Sequence, residues 1–311
     1  MNHRALLIKP AALAIMAALA TLSSPVSLAV PTSWIHVPDA SSGYIIDSLD
    51  SYDEFVVESA GRIDSVGAGI NNMGHIGVVE NNNLILGATT GIENSGIIDV
   101  INNNWLIHSD HRYAIYNTGT IGVINNASEL IADEGFTIVN GPDATIETLN
   151  NSGLIRAGSL STTAIENSGT LGLFTNSGTV EGGITSFSSL NIAGGQESRI
   201  GVLSGFNNTP EPTIGLIQVY NGDLTFTSGN LLLNDNVNLF SANFQLNSSI
   251  ISGSGTVYNS GSALYVSNPI YIHGNYKQAA AASLNINVAN GALTTGNLLT
   301  DVGYGRLNVD G

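Results

Sequence analysis

The densest group of side chains that could do chemistry is the segment from His108 to His111. Two imidazoles and the carboxylate of Asp110 stand within four residues there, and nitrogen and oxygen donors of this kind can coordinate a transition metal. The spacing gives no helical face on which the three groups would converge, and a polar corner between two strands accounts for the same residues. We therefore expect no metal site and no cofactor in this chain.

A second pattern consists of carboxylates. Asp64, Asp99 and Glu147 each follow an apolar residue that recurs along the chain, so we expect them to share one outward-facing position. Paired carboxylates can cleave glycosidic bonds. However, Gly77 and Gly122 hold the same position in the intervening repeats, which would separate the acids. We predict a solvated acidic face and no catalytic residue.

Short runs of asparagine also recur along the chain. They lie at 81–83, 102–104, 125–126 and 150–151. Stacked amide side chains commonly hydrogen-bond to one another along the axis of a β array, so we interpret the runs as ladders rather than as a ligand site. Two tripeptides, which begin at Asn126 and Asn207, match the N-glycosylation sequon, and we give them little weight.

All these groups lie in a degenerate repeat that runs from about Glu58 to about Ile184. Its clearest mark is an apolar residue two places after a turn glycine, and the last four intervals are 22, 23, 25 and 25 residues. These residues are Ile63, Ile76, Ile98, Ile121, Ile146 and Leu171. Only 13 residues separate Ile63 from Ile76, so we expect the first repeat to lack a strand.

Each repeat contains three strand-length runs rich in Ile, Val and Thr and bounded by Asn, Ser and Gly, a composition that favours strands and tight corners. We predict two further columns of inward-facing residues. They are Ile92, Ile115, Ile138 and Ile165, and Ile85, Ile107, Ile131, Ile155 and Val180. The period and the three runs predict an all-β fold, a parallel β-helix (β-solenoid) with three strands per coil of about 22–25 residues.

Composition indicates an exported, acidic protein. The 311 residues include 8 Lys and Arg, 24 Asp and Glu, and no cysteine. The first 29 residues have the pattern of a secretory signal, with Arg4 and Lys9 before an apolar stretch and cleavage expected after Ala29. Cleavage would leave 6 basic residues against 24 acidic ones, a net charge of about −18, which disfavours nucleic acid as a partner.

We divide the chain into five segments. They are a signal peptide at 1–29, an N-terminal cap at 30–57, regular β-helix repeats at 58–184, less regular coils at 185–271 and a C-terminal segment at 272–311. A cap is expected because the open edge of a terminal coil would otherwise recruit other chains.

Three motifs, in this order, resemble the passenger domain of a type V autotransporter of the pertactin-like kind. The first is the turn and strand repeated at 117–121 and 167–171, the second is 272–278, and the third, at 303–311, is similar to the start of an autochaperone region. The resemblance covers about residues 58–311. It implies a right-handed, single-stranded β-helix that is exported across the inner membrane and displayed at the cell surface or outer membrane, or released, through a C-terminal translocator barrel.

The chain departs from the family because it contains no barrel segment after Gly311. An outer-membrane translocator barrel is therefore an expected partner that is absent from this chain. Without such a barrel we expect the protein to be periplasmic. A non-functional remnant of a truncated gene is one alternative that this departure leaves open.

The motifs of enzymatic passengers, Gly-Asp-Ser-Gly, Gly-Thr-Ser-Met and Gly-Asp-Ser-Leu, are absent from the sequence. We therefore expect a non-enzymatic passenger that acts in adhesion or cell–cell aggregation and binds a host or bacterial surface glycan or protein. The stacked polar faces and exposed aromatic residues would make the contacts. Tyr113 and Tyr116 are the candidates, although core packing would also account for Tyr116. A β-helical enzyme acting on surface polysaccharide is the other alternative.

Overall fold

The computed structural model describes residues 33–206, 213–240, 255–289, 292 and 303–310. These residues form 32 β-strands. They contain no helix, and hence none with the length and hydrophobicity that a membrane span requires. The strands stack as a β-solenoid of about 10 turns, which confirms the predicted all-β parallel architecture.

Each coil contributes strands to three parallel sheets, and the strands are numbered here along the chain. Sheet A consists of β1 (Trp34–Val37), β4 (Ser51–Val57), β7 (His75–Asn81), β10 (Ile97–Asn103), β13 (Thr120–Asn126), β16 (Thr145–Asn151), β19 (Thr170–Asn176), β22 (Leu190–Ala193), β25 (Leu224–Phe226), β27 (Thr256–Asn259) and β30 (Asn275–Gln278).

The other two sheets share one long strand, β26 (Gly229–Phe240), which runs from sheet B into sheet C. The remaining strands of sheet B are β2 (Ala40–Ser41), β5 (Arg62–Ser65), β8 (Leu84–Gly87), β11 (Leu106–Ser109), β14 (Glu129–Ala132), β17 (Leu154–Arg156), β20 (Thr179–Glu181), β23 (Gly201–Ser204), β28 (Ser262–Val266) and β31 (Ser283–Ile286). Those of sheet C are β3 (Tyr44–Ile46), β6 (Ala68–Asn72), β9 (Thr90–Asn94), β12 (Tyr113–Asn117), β15 (Ile138–Asn140), β18 (Thr163–Asn167), β21 (Gly183–Ser186), β24 (Gly215–Tyr220), β29 (Pro269–His273) and β32 (Arg306–Val309).

The core consists of columns of aliphatic side chains. In sheet A the register places Ile121 beside Ile146, and in sheet C it places Ile115 beside Ile138 and Ile138 beside Ile165. All of these side chains are buried. Because successive residues of a strand face opposite ways, the same register directs the residues between them to the outer wall.

The predicted short first repeat is wrong. Ile63 lies on β5 in sheet B, opposite Ile85, whereas Ile76 lies on β7 in sheet A, opposite Tyr52. The 13-residue interval therefore connects two different sheets. The interval from Ile63 to its true partner Ile85 is 22 residues, the length of an ordinary coil.

One member of the predicted sheet B column is also wrong. Ile107 lies beside Leu130, which is fully buried, and Ile131 lies beside His108 on the outer wall. Two adjacent apolar residues satisfied the same spacing, and a shift of one residue reverses the face of a strand. The other members of that column are paired and buried as predicted; they are Ile85, Ile107, Ile155 and Val180.

The solenoid pairing extends beyond the regular repeats on both sides. Trp34 on β1 lies opposite Glu54 on β4, and Val37 lies opposite Val57. The strands of the segment predicted to be a cap thus already stack on one another, with Trp34 62% exposed at the edge. After residue 184, β22 to β32 continue the three sheets.

Two ladders of buried asparagine hold the corners. One follows the ends of the sheet C strands, and the other follows the ends of the sheet A strands. Up to Asn167 and Asn176, where the two ladders end, each Nδ2 donates to the Oδ1 of the asparagine one coil later, as from Asn117 to Asn140 at 2.9 Å and from Asn126 to Asn151 at 2.8 Å. The same Nδ2 atoms reach a backbone carbonyl beyond the corner, which satisfies groups that the turn would otherwise leave unpaired. The predicted ladders are therefore present, and they are structural.

We expect Asn117→Ala to lower the free energy of unfolding by about 2–4 kcal/mol, because it leaves the buried Oδ1 of Asn140 without its donor and removes one of the acceptors of Asn94 Nδ2. Urea denaturation followed by circular dichroism measures the change. Asn125→Ala is the matched control, since Asn125 belongs to a half-buried ladder on the outer wall. Equal losses for the two variants would contradict a special role for the buried ladder.

Among the described residues, a single carboxylate lies inside the core. Asp235 on β26 faces inward between Leu233 and Val237 and is fully buried. It lies opposite Gly215, where a β-carbon would come 2.1 Å from Asp235 Oδ1. Neither carboxylate oxygen has a hydrogen-bond partner among the described residues. Burial raises the pKa of Asp235 to about 8, and the nearby Gly215 N–H offsets the shift only in part.

This raised pKa makes stability depend on pH. The folded protein keeps the proton on Asp235 up to about pH 8, whereas the unfolded chain releases it near pH 4. The free energy of unfolding should therefore fall as pH rises from about 4 to about 8.

We expect Asp235→Asn to remove this fall and to raise the free energy of unfolding at pH 7 by roughly 1–4 kcal/mol. Urea denaturation at pH 5, 6, 7 and 8 measures both effects. Asp143→Asn, at an exposed position, should keep the wild-type slope. An Asp235→Asn variant with that same slope would show that Asp235 is not the responsible group.

Candidate functional site

The outer wall of sheet C carries a row of groups suited to recognition. The strand register aligns one outward-facing column along six coils. Its members are Glu93, Tyr116, Val139, Glu166, Thr185 and Gln218. None of the six is buried except Val139. The column therefore offers carboxylates, an aromatic ring, a hydroxyl and an amide on one face.

Three aromatic rings meet on this wall, and we call them the aromatic cluster: Tyr113, Tyr116 and Phe136. The ring centroids of Tyr113 and Tyr116 are 5.0 Å apart with an interplanar angle of 24°, and those of Tyr113 and Phe136 are 6.4 Å apart at 16°. All three side chains are half-buried. Both predicted tyrosines thus lie on the outer wall, and core packing does not account for Tyr116.

A cavity of about 400 Å³ adjoins the next coils of the same wall. The groups in its lining that can form hydrogen bonds or stack against a ligand belong to Thr162, Thr163, Phe206, Thr213 and Gln218. The aromatic cluster lies in the coils that precede this cavity. Thr137, which follows Phe136, donates its N–H to the carbonyl oxygen of Ala164, which follows the cavity residue Thr163, at 3.0 Å.

The rim of this cavity contains a strained residue. Thr162 has φ 58°, a left-handed conformation that is unfavourable for a β-branched side chain. Its side chain is exposed, and its backbone is held by hydrogen bonds from Thr162 N to Gly158 O at 3.2 Å and from Gly183 N to Thr162 O at 2.7 Å. Strained backbone of this kind is concentrated at functional sites.

The electrostatics of the wall favour a neutral or cationic ligand. Glu93 precedes Tyr116 by one coil in the outward column, and Glu166 follows it by two coils, beyond Val139. Partial burial raises the pKa of Glu166 above its ordinary value. Aromatic rings next to hydroxyl, amide and carboxylate groups provide apolar contact together with hydrogen bonds that fix orientation. The wall can therefore bind a ligand that has both apolar C–H surfaces and many hydroxyl groups.

The structure rearranges the predicted His108–His111 group. His108 Nε2 lies 3.0 Å from Asp133 Oδ1, and His108 Nδ1 lies 3.8 Å from Asp110 Oδ1. His111 turns away and pairs with Glu134 at 3.1 Å. The donor atoms that come together thus belong to His108, Asp110 and Asp133, within 4.8 Å of one another, rather than to both histidines.

The predicted row of carboxylates is only partly correct. Asp64 lies on β5 in sheet B, opposite Leu86, and pairs with Arg62. Asp99 and Glu147 do share a position in sheet A. Gly122 lies between them, where a β-carbon would come 2.5 Å from the carbonyl oxygen of Asp99.

Acids and glycines alternate at this sheet A position along the solenoid. Its members are Asp53, Gly77, Asp99, Gly122, Glu147 and Gly172, and a β-carbon at each glycine would lie 2.1–2.6 Å from a carbonyl oxygen of the preceding acid. Two coil spacings, about 10 Å, therefore separate successive acids.

Other predicted positions are buried or undescribed. Asn126 is 1% exposed within its ladder, which leaves its sequon inaccessible to a glycosyltransferase. The expected cleavage site at Ala29 and the second sequon at Asn207 lie outside the described residues, as does Gly311.

Sequence reasoning missed Phe136 and Asp133. Phe136 lies 23 residues after Tyr113, and Asp133 lies 25 residues after His108, each about one period along the chain. Applying the repeat to the candidate residues, and not only to the isoleucines, would have found both.

Comparison with known proteins gives no relative. No protein-family model, curated protein or solved structure matches this chain.

The strain at Thr162 can be measured. We expect Thr162→Gly to raise the free energy of unfolding by about 0.5–1 kcal/mol, because glycine adopts this φ without steric cost. The neighbouring Thr163→Gly, within β18, should lower it by about as much. Urea denaturation of both variants measures the difference, and a loss of stability in Thr162→Gly would contradict the strain.

Proposed function

We propose that this chain is a non-enzymatic, exported β-solenoid that binds a neutral glycan of a cell surface and so acts in adhesion or cell–cell aggregation. The observation that carries the proposal is the aromatic cluster of Tyr113, Tyr116 and Phe136 beside the cavity of about 400 Å³. Sugar rings have C–H faces that pack on aromatic side chains and hydroxyl groups that bond to polar ones. The wall of sheet C offers both kinds of contact in adjacent coils.

Charge supports a neutral ligand. The chain has a formal net charge of −16, and Glu93 and Glu166 lie within the binding wall itself. Such a surface repels nucleic acid and anionic polysaccharide at long range. A neutral oligosaccharide avoids this repulsion, and its hydroxyl groups can donate to the same carboxylates.

The acids of the sheet A row favour a binding role over hydrolysis by a retaining glycosidase, whose two carboxyl groups lie about 5–5.5 Å apart. Asp99 and Glu147 are about 10 Å apart along the axis, and Asp99 is engaged with His75 at 3.1 Å.

Location at the cell surface is also a proposal. It draws on the N-terminal signal pattern at residues 1–29 and on the resemblance of the repeat to type V autotransporter passengers of the pertactin-like kind. A right-handed coil and an outer-membrane barrel as the partner in export belong to the same proposal. Stacked coils form an extended wall, which suits contact with a repetitive surface polymer.

Binding of the full chain to an array of neutral and anionic oligosaccharides tests the proposal. We expect retention on neutral glycans, and a roughly tenfold loss of affinity in Tyr116→Ala or Phe136→Ala, because each removes a ring from the wall. Tyr271→Ala is the matched control, since Tyr271 is 46% exposed on sheet C but lies far along the axis, on β29.

The same variants should reduce adhesion of cells that display the protein. Sedimentation of cell suspensions and attachment to surfaces coated with the bound glycan measure the effect. If cells with the wild-type protein settle and attach no better than cells without it, the proposed function is wrong.

A further inference from the structure

Histidines of this solenoid follow a rule. Each of the five among the described residues faces a carboxylate of the next coil. The pairs are His36–Glu58, His75–Asp99, His108–Asp133, His111–Glu134 and His273–Asp310, with nitrogen–oxygen distances of 2.6–3.1 Å. His108 differs from the others, because a second carboxylate, that of Asp110, lies 3.8 Å from its other ring nitrogen.

The backbone fixes the positions of these three side chains. His108 lies on β11, and Asp110 follows directly after that strand. Ser109 between them is buried, with its hydroxyl donating to Thr89 O at 2.8 Å and accepting from Arg112 N at 3.0 Å. Asp133 N donates to Ser109 O at 2.9 Å, which places Asp133 beside the turn. The donor atoms are therefore brought together by the fold itself, a condition for a binding site.

We propose that His108, Asp110 and Asp133 bind a divalent transition-metal ion, with Zn²⁺ as the representative. One imidazole nitrogen and two carboxylate oxygens are ligands that Zn²⁺ accepts, and three protein ligands leave a coordination position for water or for a ligand of another molecule. Asp110 and Asp133 face different ring nitrogens of His108, so binding of one ion at Nε2 requires the Asp110 side chain to turn towards that nitrogen. One donor atom of each residue already lies within 4.8 Å of the other two. Neutral His108 and two carboxylates carry a charge of −2, which a divalent cation neutralises.

The site occurs once along the described solenoid. In the coil before, Leu86 occupies the position of His108, and in the coil after, Ile131 does. The bound ion would connect β11 with the end of β14, and so join two successive coils through side chains as well as through the backbone. Binding to the folded protein would then raise its stability in proportion to the occupancy.

The aromatic cluster and this trio lie on different sheets, C and B. The metal site is therefore independent of the proposed glycan binding, and either can be wrong without the other.

Isothermal titration of the full chain with ZnCl₂ tests the site. We expect one equivalent of Zn²⁺ to bind, and His108→Gln or Asp133→Asn to weaken binding at least tenfold. His75→Gln and His111→Gln are matched controls, because each of those histidines faces one carboxylate, and both should bind as the wild type does. Ca²⁺ should bind more weakly than Zn²⁺, because it prefers oxygen ligands.

A second readout guards against variants that fail to fold. Zn²⁺ should raise the urea midpoint of the wild type and of His75→Gln, and leave that of His108→Gln unchanged, while circular dichroism shows the same β-structure in all three. The proposal is overturned if the wild type binds no Zn²⁺, or if the His75 and His111 variants lose as much affinity as His108→Gln.

Discussion

The in-register hydrogen bonding of each coil to the next is the constraint on which the rest of the molecule depends. It makes the spatial neighbours of a residue those one period away in sequence, at about 4.8 Å. Isoleucine then meets isoleucine in the core and asparagine meets asparagine at the corners. On the outer wall the same rule brings histidine to carboxylate and tyrosine to phenylalanine. The chain needs no disulfide for this, because the pairing is distributed over every coil.

The repeat predicted the architecture because the same residue types recur where the fold needs them. Asparagine at the corners and β-branched residues in the strands mark each coil. Local pattern could not decide between Leu130 and Ile131, since both are apolar and pairing alone determines which faces inward. Nor could it predict that Asp235 faces inward, because the space for that carboxylate comes from Gly215, a residue of the preceding coil.

The candidate sites were predicted less completely, for a related reason. His108 and Tyr113 were recognised within short stretches of sequence, but each works with a partner from the next coil, Asp133 or Phe136. In a solenoid, the residues of one site come from neighbouring positions in successive coils rather than from one short stretch of sequence. A wall of this kind can therefore carry separate sites on separate sheets, while the core columns remain uninterrupted between them.

The alternation of acid and glycine in sheet A has a consequence for how such a chain can lengthen. At Gly77, Gly122 and Gly172 a carbonyl oxygen of the preceding coil occupies the place of a β-carbon. Duplication of a single coil would set two glycines, or two acids, side by side and break the alternation. Duplication of two coils together would preserve it. The shortest segment whose duplication preserves the alternation is therefore a pair of coils, about 46 residues or two periods, although the repeating structural unit is a single coil.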